Sequence, residues 1–319
     1  MRVPHPLLAL VLSIGVLSAG CSAAPALAHG GASGGQGSSA PAPSLTTSAT
    51  APREQGSVRL AIIGDSGTGT QSQYDVGTQM AMARTVFPFD FVVMLGDNIY
   101  GSERPQDFAN KFEKPYRALL DAKLPFYASL GNHDDPTQRY YKPFNMNGER
   151  FYTFTKGDAR FFALDSNYMD QPQLKWLEDQ LSASTSRWKV AYFHHPLYSS
   201  GGQHGSDTDL RASLEPLFMK YGVDLVLAGH EHFYERLKPQ HGIYYFISGG
   251  AAALRRGDIR KTAMTAAGFD SDFTFMLAEL GKNSMQFQVL ARTGKPVDSG
   301  TLPRAAVPKK PADDKPRSQ

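Results

Sequence analysis

Seven apolar runs in this 319-residue chain each end in a polar cluster, and that pattern constrains the fold more than any other feature. The runs VRLAIIGD, FDFVVMLGD, LPFYASLGNHD, RFFALDSN, WKVAYFHHP, VDLVLAGHEH and IYYFISGG are short and rich in β-branched and aromatic residues, so they predict buried strands. Segments with helical spacing of apolar residues lie between several of them: about Tyr74 to Val86, Gln106 to Ala122, Gln173 to Leu181 and Asp209 to Tyr221. In the last, Leu210, Leu214, Leu217, Phe218 and Tyr221 share one face. Strand and helix alternate, which predicts an α/β domain. FTFMLAEL and SMQFQVLA follow without long helical connections and predict a late antiparallel pair.

Four runs break at a glycine-led turn: GDSG at Gly64 to Gly67, GDNIY at Gly96 to Tyr100, GNHD at Gly131 to Asp134 and GHEH at Gly229 to His232. Glycine directly before Asp65, Asp97, Asn132 and His230 lets the backbone turn tightly and the side chains converge without Cβ crowding. Any one such turn alone is an ordinary Asx-turn or helix cap. Four together put Asp, Asn and His at strand ends, where α/β proteins collect ligands from distant segments. Two cations about 3.5 to 4 Å apart, sharing a carboxylate, need oxygen and imidazole donors from several strand ends. Of the nine histidines, His133, His194, His204, His230 and His232 fall in or near these turns. The sequence thus offers a metal site. Its single cysteine, Cys21, lies outside these runs, so oxygen and imidazole have to hold any metal.

A hydrophobic content of 41% supplies enough apolar surface for a sizeable core. The net charge of +3 is mild and sits partly in the tail (Lys309, Lys310, Lys315, Arg317), so no nucleic-acid partner is expected. Arg2, the apolar stretch Leu7 to Ala19 and the small residues after it have the layout of a secretory signal, and the stretch is shorter than the roughly 20 residues of a membrane-spanning helix. Leu17-Ser18-Ala19-Gly20-Cys21 resembles the lipobox of bacterial lipoproteins, which implies a signal over residues 1–21 and a lipid anchor to the membrane at Cys21. The alternative is cleavage after Ala26-Leu27-Ala28, which gives a soluble periplasmic or secreted protein. Both imply export. Residues 22–57, made of Gly, Ser, Ala, Pro and Thr, read as a flexible tether, 58–295 as the catalytic domain and 296–319 as a Pro- and Lys-rich disordered tail. Nothing in the sequence sets the oligomeric state.

The order GDSG, GDNIY, GNHD, HHP, GHEH, over about Val58 to Ala291, resembles the metallophosphoesterase superfamily and specifically its purple acid phosphatase branch. The resemblance implies a four-layer α/β/β/α sandwich, two central sheets flanked by helices, with the metals at strand ends. Many superfamily members open with an Asp-x-His pair; here the place reads Asp65-Ser66-Gly67. Tyr100, three residues after Asp97, resembles the branch's phenolate ligand, a hard anionic donor suited to Fe(III). Carried over by position, the resemblance implies that Asp65, Asp97, Tyr100 and His232 hold Fe(III), and that Asp97 bridges to a second, divalent metal (Fe, Zn or Mn) held by Asn132, His194 and His230. In VAYFHHPLYS either His194 or His195 is a candidate ligand. The family's His-x-Pro pattern, and the alternation that puts Val190, Tyr192 and His194 on one face, favour His194, although Ala191 stands where the family often has Val. His195 is left as a supporting or substrate-facing group.

His133 resembles the superfamily's non-ligating histidine that contacts substrate phosphate, and His204, in GGQHGSD, a second phosphate-binding histidine of the branch. Both are catalytic candidates, as proton donors to a leaving group. Glu231, between two expected ligands, is turned away by alternation and has no catalytic role in this reading. Asp134, Asp135 and Asn167 either orient imidazoles or cap turns, Tyr140, Tyr141 and Tyr198 are candidates for the pocket rim, and His241 is read as an ordinary surface histidine. The resemblance implies an exported acid phosphatase that hydrolyses small phosphate monoesters by attack of a metal-bound hydroxide. A phosphodiesterase or nucleotidase of the same superfamily is the alternative, and a non-catalytic phosphate-binding protein a third.

Overall fold

The computed structural model describes residues 53–304, so the expected signal, Cys21, the cleavage site near Ala28, most of the tether and the tail beyond Arg304 lie outside the described residues. In chain order the elements are β1 (Val58–Ile63), α1 (Gln71–Val86), β2 (Phe91–Leu95), α2 (Pro105–Phe108), α3 (Arg117–Asp121), β3 (Phe126–Ser129), β4 (Tyr152–Lys156) and β5 (Ala159–Ala163). There follow α4 (Gln171–Ser182), β6 (Trp188–Phe193), α5 (Thr208–Tyr221), β7 (Leu225–Ala228), β8 (Tyr234–Leu237), β9 (Tyr244–Ser248), β10 (Thr265–Phe269), β11 (Thr274–Leu280), β12 (Ser284–Ala291) and β13 (Pro296–Pro303). One sheet runs β13-β12-β11-β1-β2-β3 and the other β10-β8-β9-β7-β6-β5-β4.

Strand alternation builds the layers. Leu60, Ile62, Phe91 and Val93 of the first sheet meet Phe161, Val190, Tyr192 and Leu227 of the second in the central core. The intervening residues Ala61, Ile63, Val92 and Met94 face outward onto Val76 and Met80 of α1 and Leu119 of α3. On the other side Phe162, Ala191 and Phe193 are covered by Leu177 and Leu181 of α4 and by Leu214 and Phe218 of α5. Strands buried on both faces are apolar throughout, which is why they read as continuous runs. The result is the expected four-layer α/β/β/α sandwich. Phe91 sits in the central layer edge-on to Tyr127, Phe154 and Phe161, with ring centroids 5.8, 5.8 and 5.3 Å away. Asp170 and Asp207 cap α4 and α5 by accepting from Gln173 N and Leu210 N.

Three expectations change. The helix expected over Gln106 to Ala122 is α2, a π-helical stretch Ala109–Glu113, a turn and then α3; Pro115, which has no N–H to give, falls in the break. Residues 296–303, expected in a disordered tail, form edge strand β13, paired along β12 from Ser284↔Pro303 to Leu290↔Pro296, with Val297 and Leu302 packed on the central core. The expected tether ends earlier than residue 57: Arg53 donates to Asp90 (2.9 Å) and Glu54 N to Glu279 Oε1 (3.0 Å). The late antiparallel pair is β11 and β12, with β11 also lying antiparallel to β1.

Strands β1, β2 and β3 are parallel neighbours, as are β6 and β7, so their carboxyl ends point the same way within each sheet. All four glycine-led turns and the His194 segment leave from those ends.

Candidate metal centre

The turn after β1 carries Asp65, the turn after β2 Asp97 and Tyr100, the turn after β3 Asn132 and His133, the end of β6 His194, and the turn after β7 His230 and His232. Their donor atoms form two triangles. In the first, Tyr100 Oη is 3.3 Å from Asp65 Oδ1 and 3.1 Å from His232 Nε2, which is itself 3.4 Å from Asp65 Oδ1. In the second, Asn132 Oδ1 is 2.9 Å from both His194 Nε2 and His230 Nδ1, and those nitrogens are 3.1 Å apart. Asp97 Oδ1 lies 3.5 Å from His194 Nε2 and accepts from His133 N at 3.0 Å. Carboxylate oxygens of Asp65 and Asp97 cluster with a His194 nitrogen closely enough to share an ion, as do nitrogens of His194, His195 and His230.

The local backbone is built for convergence. Asp65, Asp97 and His230 all adopt left-handed φ, at 55°, 51° and 68°, which side chains with a Cβ rarely do; such strain persists only where the surroundings fix it, and it gathers at functional sites. Asp65 Oδ2 holds one of these turns by accepting from His230 N at 2.9 Å. Gly131 packs so closely that a Cβ there would stand 2.2 Å from Asp97 Oδ1, and Gly96, at φ +86°, leaves room for His194 Nδ1, 2.6 Å from where its Cβ would be.

The electrostatics ask for a cation. Asp65 is buried, and burial followed by the neighbouring Asp97 charge raises its pKa well above the usual carboxylate range. Burial, then Asp65 and Asp97, pushes the Tyr100 phenol far up as well, so a phenolate forms there only beside a compensating positive charge. Burial, then the other imidazoles, pushes His230 down to about 2 and His194 well below its usual range. Both rings are therefore neutral. His194 Nδ1 faces the Leu95 carbonyl at 2.9 Å and donates to it, leaving the Nε2 lone pair aimed at the second triangle. Lone pairs of neutral imidazole nitrogens and of amide, phenol and carboxylate oxygens meet in the two triangles without an ammonium or guanidinium among them, a mixed nitrogen and oxygen donor set that suits metal ions such as iron and zinc.

The remaining candidates divide. His133 flanks the first triangle, its ring 5.1 Å from that of Tyr100, and His204 flanks the second, 4.3 Å from the His230 ring; both are exposed. His195 is at the edge of the second triangle, 4.4 Å from His230, with Nδ1 2.9 Å from Ser166 Oγ. Strand β6 ends at Phe193, so alternation no longer separates His194 and His195 fully. Asp134 bonds to Asn98 N (2.8 Å), Ile99 N (3.1 Å) and Gly131 N (2.8 Å), tying two of the turns together, while burial and the Asp97 charge lift its carboxyl to about 7. Asp135 caps a 3-10 turn, Asn167 donates to Gly131 O, and His241 is a half-exposed neighbour of Glu215.

The tyrosines expected at the rim are elsewhere. Tyr198 is buried with its hydroxyl on Glu215 Oε1, Tyr141 packs on Phe108, and Tyr140 pairs with Arg139 at the surface. A cavity of about 460 Å³ beside Asn132 is lined instead by Ser166, Tyr168, His195 and Asp207, and one of about 390 Å³ continues along His195, His204 and His230. Ser166 belongs to the polar cluster that ends the run RFFALDSN, whereas Tyr168 follows it with no pattern to mark it. A separate cavity of about 580 Å³ lies at the opposite ends of β5 and β6. Its cations are already engaged: Arg187 by Asp158, Lys189 by the Tyr221 carbonyl and Arg304 by Asp224.

Residues 58–234, which hold every turn described above, match the family model of the calcineurin-like phosphoesterases. The chain belongs to that family. Among similar proteins, purple acid phosphatase 17 of Arabidopsis thaliana is 30% identical over 65% of this chain and 72% of its own length. Tartrate-resistant acid phosphatase type 5 of Rattus norvegicus is 27% identical over 83% of this chain and 95% of its own. A solved structure of GAP50, the anchor in the inner membrane complex of Plasmodium, superposes with a TM-score of 0.67 at 22% identity, over 78% of this phosphoesterase and 90% of that chain. That likeness is one of fold, so the donor atoms have to carry the argument for chemistry.

Proposed function

We propose that this phosphoesterase is an exported acid phosphatase that hydrolyses monoesters of small molecules. In this reading Asp65, Asp97, Tyr100 and His232 would hold Fe(III), and Asn132, His194, His230 and Asp97 would hold a divalent Fe, Zn or Mn. The single observation that carries it is Tyr100 Oη meeting Asp65 Oδ1 and His232 Nε2 at 3.3 and 3.1 Å, in a chain whose first turn lacks the Asp-x-His histidine. Two carboxylates, Asp65 and Asp97, face the phenol oxygen, so an ion that draws in both acids also meets Tyr100 Oη, a hard oxygen donor.

Bound there, a pair of cations supplies Lewis acidity to the phosphoryl oxygens and makes a water nucleophilic below neutral pH. The chain's own groups do the rest. Asp97 lies beside donors of both triangles. His133, whose N–H is fixed on Asp97, and His204, beside His230, stand at the mouth as proton donors for the leaving oxygen. The cavity past Tyr168 and Asp207 is where the alcohol side of the ester fits. Export rests on the signal-like start and the lipobox-like segment ending at Cys21.

Rates on an aryl monoester, an aryl diester and a cyclic nucleotide test the reading, measured on wild type, Asp97→Ala and His232→Ala. The expected pattern is a preference for the monoester, lost in both variants. Preference for a diester or cyclic nucleotide transfers the same metals to the phosphodiesterase reading, and undiminished hydrolysis by both variants refutes the site.

A further inference from the structure

We propose that Glu231 is a positioning residue that holds the loop bearing His204 against the turn bearing His230 and His232. What His204 does chemically rests on the phosphatase reading; the contact itself does not.

Glu231 lies between two ligand candidates, yet its side chain points away from both triangles and is fully buried, a rare state for a glutamate without specific partners. Oε1 accepts from Gly205 N at 2.7 Å, the residue next to His204, and from Ser199 Oγ at 3.1 Å. The loop backbone lies directly on the carboxylate: a Cβ on Gly201 would be 2.2 Å from Oε1. Support from the other side leads back to the same residue. Arg255 Nη1 is 3.5 Å from Glu231 Oε2 and 3.5 Å from Asp258 Oδ2, and Arg255 N donates to His232 O. Gly202 N donates to Asp258 O, and Arg260 N to Ser200 O.

Residues 201–206 read Gly-Gly-Gln-His-Gly-Ser, without one apolar side chain to bury. A loop of that composition gets little order from hydrophobic packing, so polar contacts have to fix its place. The Glu231 carboxylate supplies them from the metal-bearing turn, which makes the 4.3 Å approach of the His204 and His230 rings a consequence of Glu231.

The test uses the full, metal-loaded chain with Glu231→Ala, Ser199→Ala, His204→Ala and the Glu231→Ala/His204→Ala double variant. In Glu231→Ala, hydrogen exchange in residues 201–206 should rise about tenfold, as expected for the loss of about one buried hydrogen bond. Its metal content should stay at the wild-type level, and KM for an aryl monoester should rise more than kcat falls. Ser199→Ala removes one arm of the contact from outside the metal turn together with the bond that Ser199 Oγ accepts from Gly201 N at 2.9 Å, so exchange should rise at Gly201 and also at Gly205, to which the Ser199 hydroxyl is tied through Glu231. The double variant should be no worse than His204→Ala, because the two residues act as one. Unchanged exchange at Gly205 in both Glu231→Ala and Ser199→Ala, fully additive losses, or a metal loss in Glu231→Ala overturns the proposal. If wild type hydrolyses no monoester but exchange responds as stated, the positioning contact stands and the phosphatase reading falls.

Discussion

Tyr100 Oη and His232 Nε2 lie 3.1 Å apart although 132 positions separate them in the chain. The first belongs to a turn of one sheet and the second to a turn of the other, so the contact exists only because the two sheets end together. Around it stand Asp65, Asp97 and His230, three residues in left-handed backbone conformations, each costing about 1 kcal/mol or more. Two of the three, Asp65 and Asp97, are also buried carboxylates, and backbone strain of this kind gathers at functional sites.

Gly131→Ala tests whether that geometry is required. The added methyl would meet Asp97 Oδ1 and N at 2.2 Å, and the backbone has no space to yield without moving the Asp97 turn. Bound metal, measured on the purified protein, should fall by at least half, and the melting transition should reflect a loss of about 1 to 3 kcal/mol. Full metal occupancy would show that the close packing of Gly131 on Asp97 is not required by the centre.

The pair His194 and His195 separates by metal content. With Nδ1 committed to Leu95 O, His194 offers one fixed lone pair, so His194→Ala should lose one of the two ions and about a hundredfold or more in rate. His195, held by Ser166 at the edge, should keep both ions when changed to Ala and shift mainly KM. The reverse result would make His195 the ligand.

Asp224 gives a pH effect well away from the metals. Burial raises its carboxyl to about 6 despite the Lys189 N–H and the Arg304 charge. The folded pKa is above the unfolded value near 3.8, so the group's contribution is fully present below about pH 3.8 and is lost as pH rises through about 6. Wild type should therefore lose on the order of 2 kcal/mol from this group between pH 4 and 8. Asp224→Asn, which keeps an acceptor for Lys189 N, should flatten that part of the curve in urea unfolding of the metal-free protein. Parallel curves for the two proteins would remove Asp224 from the account.

Legibility followed the physical signal. Strands buried on both faces show as apolar runs, and the turns after them carry Gly beside Asp, Asn or His, so the ligand candidates could be read from the sequence alone. Edge strand β13 could not: PVDSGTLP alternates weakly, and only Val297 and Leu302 reach the core. The break after α2 was written in Pro115 but masked by helical apolar spacing around it. Alternation turns Glu231 away from its neighbours His230 and His232, but the loop it meets comes from 26 positions earlier in the chain, and no local pattern reports such a contact. The same holds for Tyr168 at the cavity rim and for the left-handed φ at Asp65 and Asp97, which a sequence shows only through the glycines that precede them.

The central claim is a tyrosinate bound to iron, and the visible spectrum of the metal-analysed protein, wild type beside Tyr100→Phe, tests it most directly. The account predicts about two metals per chain including iron, a visible charge-transfer band in wild type, and loss of that band in Tyr100→Phe. A wild-type protein that holds iron in a two-metal centre yet stays colourless after oxidation, or a band that survives in Tyr100→Phe, would contradict it.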